Sequence, residues 1–187
     1  MKIGILGGRF DPIHIAHIRA AIEFYEQINL DRLIVVPAGV PAHKKVVASA
    51  EDRFHMTQLA FKTLKFAEID DYEIKSRETS YTVDSLKHYK KKYPGSTLFY
   101  LVGLDEFINI RTWKDWSLCL ELARFVVVER RTNFQSADVE EDCERIGMRT
   151  LDISSSEIRM MIEHGKMVDY LLPEAVKCYI EQEGLYR

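Results

Sequence analysis

The sequence predicts an α/β fold in which helices cover both faces of a parallel sheet. Strand-like and helix-like segments alternate along the chain, an order that is typical of βα units. The runs 3–6 and 33–36 are continuously apolar, and this pattern favours strands that are covered on both faces. The 187 residues fit one domain, 1–187, with a core that needs no covalent staples.

Apolar patterning and boundary residues place the elements in order. The predicted strands are residues 3–6, 33–36, 67–74, 97–102, 125–128 and 148–153. The predicted helices are residues 18–28, 49–64, 83–93, 116–122, 138–146, 154–164 and 170–183, with a short helix after residue 103 and a break at Pro173. Ser49 and Asp52 form a capping box, and Pro94-Gly95 ends the third long helix. We expect residues 130–136 to be the most mobile loop.

Composition limits the classes of partner. With 47% hydrophobic and 29% charged residues, the chain is typical of soluble globular proteins. Its net charge of −3 gives no general attraction to nucleic acid or to anionic membranes, so we expect neither partner. Cys119, Cys143 and Cys178 match neither a disulfide framework nor a zinc site. Without a signal peptide or a long apolar span, the sequence predicts a cytoplasmic protein.

Residues 7–17, G-G-R-F-D-P-I-H-I-A-H, join the first predicted strand to the first predicted helix. The paired glycines allow a sharp turn and close approach of a ligand to the backbone. The free N–H groups of the first helical turn attract anions. His14 and His17 are three positions apart, so on a helix they share a face beside this anion site. The segment therefore predicts phosphate chemistry.

The histidine pair on its own has other interpretations. Solvated or core histidines fit the spacing equally well, and neither G-x-G-x-x-G nor G-x-x-x-x-G-K-[ST] occurs in the chain. A metal pair would be expected to show H-E-x-x-H or a nearby cysteine, so no metal site is predicted.

Unusual loops follow the predicted strands at the edge where parallel sheets bind ligands. They are G-G-R-F-D-P, P-A-G-V-P-A-H-K-K, G-L-D and S-S-S-E-I-R. The last is an ordinary N-cap pattern, but Arg159 adds a guanidinium to its hydroxyls and N–H groups. No G-x-S-x-G or cysteine–histidine set is present. This favours phosphoryl or nucleotidyl transfer, in which positioning and charge stabilisation do most of the work.

Together, the segment at 7–17 and I-S-S-S-E-I-R resemble the paired motifs of the H-x-G-H nucleotidyltransferase superfamily. The whole chain is similar to the bacterial nicotinate-mononucleotide adenylyltransferases. The similarity includes P-A-G-V-P-A-H-K-K, S-Y-T at 80–82, G-x-D…T-W at 103–113 and D-Y-L-L-P-E-A-V-K-C-Y-I-E-Q-E-G-L-Y near the end. It implies a Rossmann-like, doubly wound parallel sheet of the nucleotidyltransferase type.

The resemblance also implies an enzyme that joins ATP and nicotinate mononucleotide, with Mg²⁺, to give deamido-NAD and pyrophosphate. The implied catalytic residues are His14, His17 and Arg159. The implied ATP-binding residues are Gly7, Gly8, Arg9, Phe10, Gly103, Asp105, Ser155 and Ser156. The implied mononucleotide-binding residues are Lys44, Tyr81, Thr82 and Trp113. Trp113 would stack on the pyridine ring, and the backbone at 81–82 would receive its carboxylate. A homodimer is expected by analogy alone.

The chain departs from the family pattern at three positions. Arg9 stands where Thr or Ser is usual, and it either adds charge to a phosphate or points outward. Ala16 replaces the glycine of H-x-G-H, which places a methyl group near the expected adenine site. Ala42 replaces a common proline, which is expected to loosen the Lys44 loop.

Other functions remain as alternatives. An adenylyltransferase for nicotinamide mononucleotide is the nearest, whereas S-Y-T and T-W disfavour a phosphopantetheine enzyme. A fragment of a class I aminoacyl-tRNA synthetase would also show an H-x-x-H helix, but this chain lacks K-M-S-K-S and a basic RNA surface and is short for that class. A non-catalytic nucleotide-binding module is the alternative from a different class. We expect a strong preference for the nicotinate mononucleotide.

Overall fold

A computed structural model describes residues 1–42, 45–76, 78–130, 143–148 and 151–187. Its strands are β1 (Lys2–Gly8), β2 (Arg32–Pro37), β3 (Val40–Pro41), β4 (Ala67–Ile69), β5 (Thr79–Ser80), β6 (Thr97–Gly103), β7 (Arg124–Arg130) and β8 (Glu144–Met148). Its α-helices are α1 (Ile15–Ile28), α2 (Ala50–Phe61), α3 (Tyr72–Ser76), α4 (Thr82–Lys92), α5 (Leu104–Phe107), α6 (Trp116–Leu122), α7 (Ser155–Glu163) and α8 (Glu174–Glu183). A 3₁₀ turn, Ile110–Thr112, lies between α5 and α6.

The main sheet has six strands in the order β4-β2-β1-β6-β7-β8. Every neighbouring pair in it is parallel. The strand order reverses between β1 and β6, so the crevice at their carboxyl ends is the expected ligand site of the fold. The predicted parallel sheet is confirmed.

Alternate side chains of the central strands enter two separate cores. Ile3 and Ile5 of β1 pack in one buried cluster, while Leu6 packs in the other. In β2, Ile34 packs in the same cluster as Ile3 and Ile5, while Leu33 packs in the same cluster as Leu6. This explains the continuous apolar runs, because both faces of the sheet are covered by helices. The doubly wound arrangement is therefore confirmed, and no helix in the described ranges is long and apolar enough to cross a membrane.

Three element predictions near the sheet edges are wrong in the described residues. The strand expected over 67–74 ends at Ile69, since the Asp70 carboxylate accepts the N–H of Tyr72 at 2.8 Å and starts the turn into α3. Where the structure describes these ranges, the helix expected over 138–146 and the strand expected over 148–153 are wrong, because Glu144–Met148 form β8, which pairs with β7, and residues 151–153 are not in a strand. Residues 131–142, which include most of the loop expected to be mobile, and 149–150 lie outside the described part of the chain.

A second, two-stranded sheet was not predicted. In it, Val40 of β3 pairs in parallel with Thr79 of β5. This pairing joins the loop after β2 to the segment that leads into α4. It thereby places residues 80–82 beside the carboxyl end of β1.

Candidate active site

The two histidines lie at the start of α1 with their rings stacked. His14 is the N-cap residue and is buried, and His17 lies in the first turn. Their ring centroids are 3.7 Å apart with an interplanar angle of 26°. The buried Phe10 ring meets His17 edge-on at 5.2 Å. The predicted shared face is thus formed by close packing as well as by helical spacing.

Burial keeps both imidazoles neutral. It lowers the pKa of His14 to about 4. Burial also lowers the pKa of His17 well below its usual value, and the neighbouring His14 and Arg9 lower it further. The backbone N–H of His14 donates to Nδ1 of His17 at 3.2 Å. Since Nδ1 accepts, the proton of neutral His17 belongs on Nε2, which can donate to an anion. Within the described residues, Nδ1 of His14 is buried without a hydrogen-bond partner.

The start of α7 lies against the loop that precedes α1. Ser154 caps α7 by accepting the N–H of Glu157 at 3.1 Å. Ser155 Oγ donates to the carbonyl of Pro12 at 2.9 Å. Arg159 donates from Nη1 to the Asp11 carbonyl at 2.6 Å and from Nη2 to Ser156 Oγ at 3.2 Å. We call His14, His17, Ser155, Ser156 and Arg159 the phosphate cluster, because it joins two helix starts, hydroxyls and a guanidinium.

Asp11 connects this cluster to two other parts of the chain. Its buried carboxylate accepts the N–H groups of Val47 at 2.7 Å and Ala48 at 3.1 Å. It also accepts the hydroxyl of Tyr186 at 2.8 Å, and its Oδ2 lies 3.7 Å from Nη1 of Arg159. The sequence did not single out Asp11 as a site residue. The carboxylate immediately before the proline of this short strand–helix junction was the signal available.

Arg53 has a similar connecting role and was also missed. Its fully buried guanidinium donates to the carbonyls of Arg9 at 2.8 Å, Ala38 at 2.6 Å and Gly39 at 2.8 Å. Its Nε donates to the Ala48 carbonyl at 3.3 Å. The side chain therefore fixes the loops after β1 and β2 to each other. Nothing in the pattern of α2 distinguishes it from a solvated arginine.

A cavity of about 440 Å³ opens at the carboxyl ends of β1 and β6. The predicted site residues that line it are Gly7, Gly8, Arg9, Tyr81, Thr82, Asp105 and Trp113. Phe10, Gly103 and the phosphate cluster lie outside this lining. Lys44 lies outside the described residues. The structure thus divides the predicted site into a cavity and a separate cluster, both at the crevice where strand order reverses.

The cavity contains a helix start and an aromatic wall. Tyr81 is the N-cap residue of α4 and Thr82 its first residue, so the N–H groups at a helix start, which the helix ladder leaves available, lie at this edge. The half-buried Trp113 ring meets the Tyr100 ring nearly perpendicularly, with centroids 6.2 Å apart. Lys114 Nζ lies 4.5 Å from the centroid of Tyr81 and 3.1 Å from Asp84 Oδ2.

Two glycines at this edge have different reasons to be glycine. A Cβ on Gly7 would lie 2.6 Å from the Tyr100 hydroxyl, so a side chain there would have to displace the end of Tyr100. A Cβ on Gly103 would meet nothing within 4 Å. Packing therefore does not explain Gly103, which leaves open space beside the exposed Asp105 at the end of β6.

Arg9, the unusual residue of the glycine turn, lies at the cavity. Its Nη1 donates to the Lys45 carbonyl at 3.4 Å, a long hydrogen bond that is easily exchanged for a ligand. Its charge is also close enough to His17 to lower the pKa of that imidazole. As for metals, no group of three or more His, Cys, Asp or Glu is placed to hold an ion in the described ranges.

The sequence model of the cytidylyltransferase-like family matches residues 5–161. The chain is 38% identical to a probable nicotinate-nucleotide adenylyltransferase of Desulfitobacterium hafniense (strain DSM 10664 / DCB-2), over all of this chain and 96% of that relative. It is 37% identical to a protein of the same description from Thermus thermophilus, and both chains are fully covered.

Solved structures give the same fold. A nicotinic acid mononucleotide adenylyltransferase of Plasmodium falciparum complexed with NaAD superposes with a TM-score of 0.85 at 22% identity, covering 99% of this chain and 97% of that one. The complex of a Plasmodium falciparum enzyme of that description with APC has a TM-score of 0.81 at 22% identity, covering 99% and 96%.

Proposed function

The chain belongs to the cytidylyltransferase-like family and, within it, to the nicotinate-nucleotide adenylyltransferases, and we propose that it transfers the adenylyl group of ATP to nicotinate mononucleotide. The protein is a nucleotidyltransferase of NAD biosynthesis, and its products are deamido-NAD and pyrophosphate. One observation supports this assignment most strongly. A neutral histidine pair and Arg159 lie at two helix starts, beside a cavity that has an aromatic wall and free backbone donors.

In this proposal the phosphate cluster holds the triphosphate of ATP. Nε2–H of His17 donates to the α-phosphate without needing a proton from solution, because the imidazole is already neutral. Arg159, Ser155 and Ser156 hold the β- and γ-phosphates at the start of α7. Gly103 and Asp105 contact the adenosine ribose, and the space beside Gly103 permits that approach. Gly7, Gly8, Arg9 and Phe10 complete this side through the turn after β1.

The cavity holds the mononucleotide. The pyridine ring stacks on Trp113, and N–H groups at Tyr81 and Thr82 receive its carboxylate. Lys44 contacts the mononucleotide phosphate, a role taken from the family pattern. The side of the cavity next to Gly7 and Gly8 faces the turn that leads to the histidines. In this proposal the attacking phosphate of the mononucleotide lies next to the α-phosphate of ATP.

The reaction then needs no covalent enzyme intermediate. A phosphate oxygen of the mononucleotide attacks the α-phosphorus, and the bond from that phosphorus to the bridging oxygen of the β-phosphate breaks. Negative charge moves to the departing pyrophosphate, where Arg159 and the start of α7 stabilise it. His17 hydrogen-bonds to the α-phosphate as its charge changes. The chain positions the two substrates and supplies fixed hydrogen-bond donors, which is sufficient for direct nucleotidyl transfer.

We also propose that Mg²⁺ enters as part of the ATP substrate. This ion is usually held by substrate phosphates, waters and one or two carboxylates, so a cage of protein ligands is not required. When bound, it neutralises part of the triphosphate charge. Turnover is expected to need added Mg²⁺ and to stop with a chelator. Activity that persists after exhaustive chelation would remove the ion from the proposal.

Release of pyrophosphate from ATP tests the assignment directly. The assay compares nicotinate mononucleotide, nicotinamide mononucleotide and phosphopantetheine as acceptors under identical conditions. We expect rapid release with the nicotinate compound and much slower release with the amide. No release with any acceptor would identify a non-catalytic nucleotide-binding module instead. Equal rates with acid and amide would contradict the carboxylate site at Tyr81 and Thr82.

Location and assembly are further parts of the proposal. A reducing, cytoplasmic location agrees with the free thiols of Cys119 and Cys178, the latter exposed. A homodimer is proposed from the family analogy. Light scattering on the purified chain measures its mass, and a monomer at all concentrations would contradict the dimer.

A further inference from the structure

Tyr100 extends from β6 into the cavity beside the glycine turn. Its hydroxyl lies where a side chain on Gly7 would be, 2.6 Å from that Cβ position. Its ring packs against Phe125 at 5.3 Å and against Trp113 at 6.2 Å. The phenol group therefore stands between the end of β1 and the aromatic wall, and its position is fixed from both sides.

Among the described residues, the hydrogen bond that the structure gives the Tyr100 hydroxyl is a long one. Thr82 Oγ1 is 3.5 Å away, a distance well beyond the usual 2.7–2.8 Å between two hydroxyl oxygens. A tyrosine hydroxyl in such a site ordinarily has a good partner. Both hydroxyls also line the cavity. Two adjacent hydroxyls that share no short hydrogen bond are placed so that both can bond to the same third group.

The charges around the cavity do not by themselves select an anion. The described lining contains three acidic side chains, Glu73, Asp105 and Glu106, and two basic ones, Arg9 and Lys114. An anionic substituent on a bound ring must therefore be recognised by local donors. The start of α4 supplies backbone N–H groups at Thr82. A tyrosine hydroxyl next to them would add another donor at the same point.

We propose that the Tyr100 hydroxyl is a substrate-binding donor that, with Thr82, recognises the carboxylate of the pyridine ring. The inference rests on the proposed function, because it assigns a specificity-determining residue to the same reaction. The hydroxyl keeps its proton throughout the working pH range, since burial raises the pKa of Tyr100. It therefore donates to the ligand. Hydrogen bonds to a charged acceptor are stronger than those to a neutral one, so the group favours an acid over an amide.

Tyr100→Phe tests this inference because it removes one oxygen and keeps the ring packing. Isothermal titration measures binding of nicotinate mononucleotide, nicotinamide mononucleotide and ATP to the wild-type and variant chains. We expect roughly tenfold weaker binding of the nicotinate compound and roughly threefold or less for the amide, from the usual strengths of charged and neutral hydrogen bonds. ATP binding is expected to stay unchanged.

Two further variants separate a binding role from a structural one. Tyr93→Phe removes the hydroxyl of a half-buried tyrosine outside the cavity, and it should leave all three affinities unchanged. Thr82→Val should reproduce the preferential loss of the acid, which keeps the inference testable if Tyr100→Phe fails to fold. An unchanged ratio of acid to amide binding in both cavity variants would overturn the inference. Failure of the wild-type chain to bind either mononucleotide would instead overturn the proposed function.

Discussion

The phosphate cluster is joined by short hydrogen bonds to buried neighbours, whereas Tyr100, Thr82 and Trp113 in the cavity contact their neighbours through ring edges and one long hydrogen bond. Arg159 reaches the Asp11 carbonyl at 2.6 Å, and Ser155 reaches the Pro12 carbonyl at 2.9 Å. In the cavity, Tyr100 and Thr82 are 3.5 Å apart, and Trp113 has ring-edge contacts at 6.2 Å. The cluster is thus organised before ligand arrives, while the cavity leaves donors and faces for the ligand to complete.

This difference agrees with the chemistry that we propose for each region. Charge that develops during phosphoryl transfer is stabilised best by donors that do not have to move. Asp11 and Arg53 supply this rigidity from behind the site, since each connects segments that are distant in sequence. Recognition of an aromatic acid depends instead on an open face and a few well-placed donors. Variants in the phosphate cluster should therefore lower turnover, whereas variants in the cavity should weaken binding of the mononucleotide.

The largest effect is expected from His17→Ala in the phosphate cluster. Loss of a fixed donor to the α-phosphate should lower turnover roughly 10²- to 10³-fold, as for comparable preorganised donors. The affinity for nicotinate mononucleotide should change little. Steady-state kinetics with both substrates gives the result, and His164→Ala on the exposed end of α7 is the control. A fully active His17→Ala chain would show that the cluster is structural.

The buried neutral histidines also predict how stability depends on pH. Since the pKa values of His14 and His17 are lowered from 6.5, the unfolded chain binds more protons than the folded protein below that pH. Their contribution to stability is therefore complete above pH 6.5 and is lost as the pH falls below that value, toward about 4 for His14. Each imidazole should reduce the free energy of unfolding by about 1.4 kcal/mol per pH unit in this window. Urea denaturation at several pH values measures the slope.

A variant in which both histidines are replaced by Gln provides the comparison for that slope. Its free energy of unfolding should depend less on pH between 6.5 and 5 than that of the wild-type chain. Identical slopes would mean that the imidazoles titrate in the folded protein much as they do in the unfolded chain. The proposed neutral donor on His17 would then lose its basis.

In the cavity, Trp113→Ala should act on binding more than on turnover. Stacking of a flat ring on an aromatic side chain is worth about 1–3 kcal/mol, so the KM for the mononucleotide should rise roughly tenfold or more. The KM for ATP should be nearly unchanged. Trp116→Ala, at a half-buried tryptophan outside the cavity lining, is the matched control. Equal effects of both variants on the two substrates would show that Trp113 is only a packing residue.

The smallest effect is expected from Tyr186, which lies near the carboxyl end of the chain and supports the phosphate cluster through Asp11. Tyr186→Phe removes the hydroxyl that donates to Asp11 at 2.8 Å and should lower the free energy of unfolding by about 1.5 kcal/mol. Thermal denaturation measures this loss, and Tyr170→Phe at an exposed side chain should have none. A stability equal to that of the wild-type chain would exclude Tyr186 as a support of Asp11.

The sequence alone was sufficient to predict the elements whose residues follow a regular apolar pattern. β1 and β2 are buried on both faces, so their continuous apolar runs identified them. β8 was missed because it is an edge strand in which Ile146 is buried but Glu144 and Arg145 are exposed. β3 and β5 have two residues each, which is too short for any periodicity.

The candidate site shows the same contrast between residues that the sequence pattern identified and residues that it did not. His14, His17 and Arg159 were found because loops after parallel strands converge at one edge, and the structure places them there. Asp11 and Arg53 were missed because their value depends on buried carbonyl, hydroxyl and N–H partners from distant segments. Tyr100 lies within an apolar strand, where its hydroxyl was indistinguishable from an ordinary core group. Roles of the site residues stay predictions until ligands are bound.

A crystal structure of the chain with deamido-NAD would test most directly whether the two regions hold the two halves of one reacting pair. We predict the pyridine ring on Trp113, its carboxylate within hydrogen-bond distance of Thr82 and Tyr100, and the adenylyl phosphate next to His17. The adenosine should pass beside Gly103, where the backbone leaves open space. A nicotinate group bound outside the cavity, or an adenylyl phosphate distant from the histidines, would contradict this account.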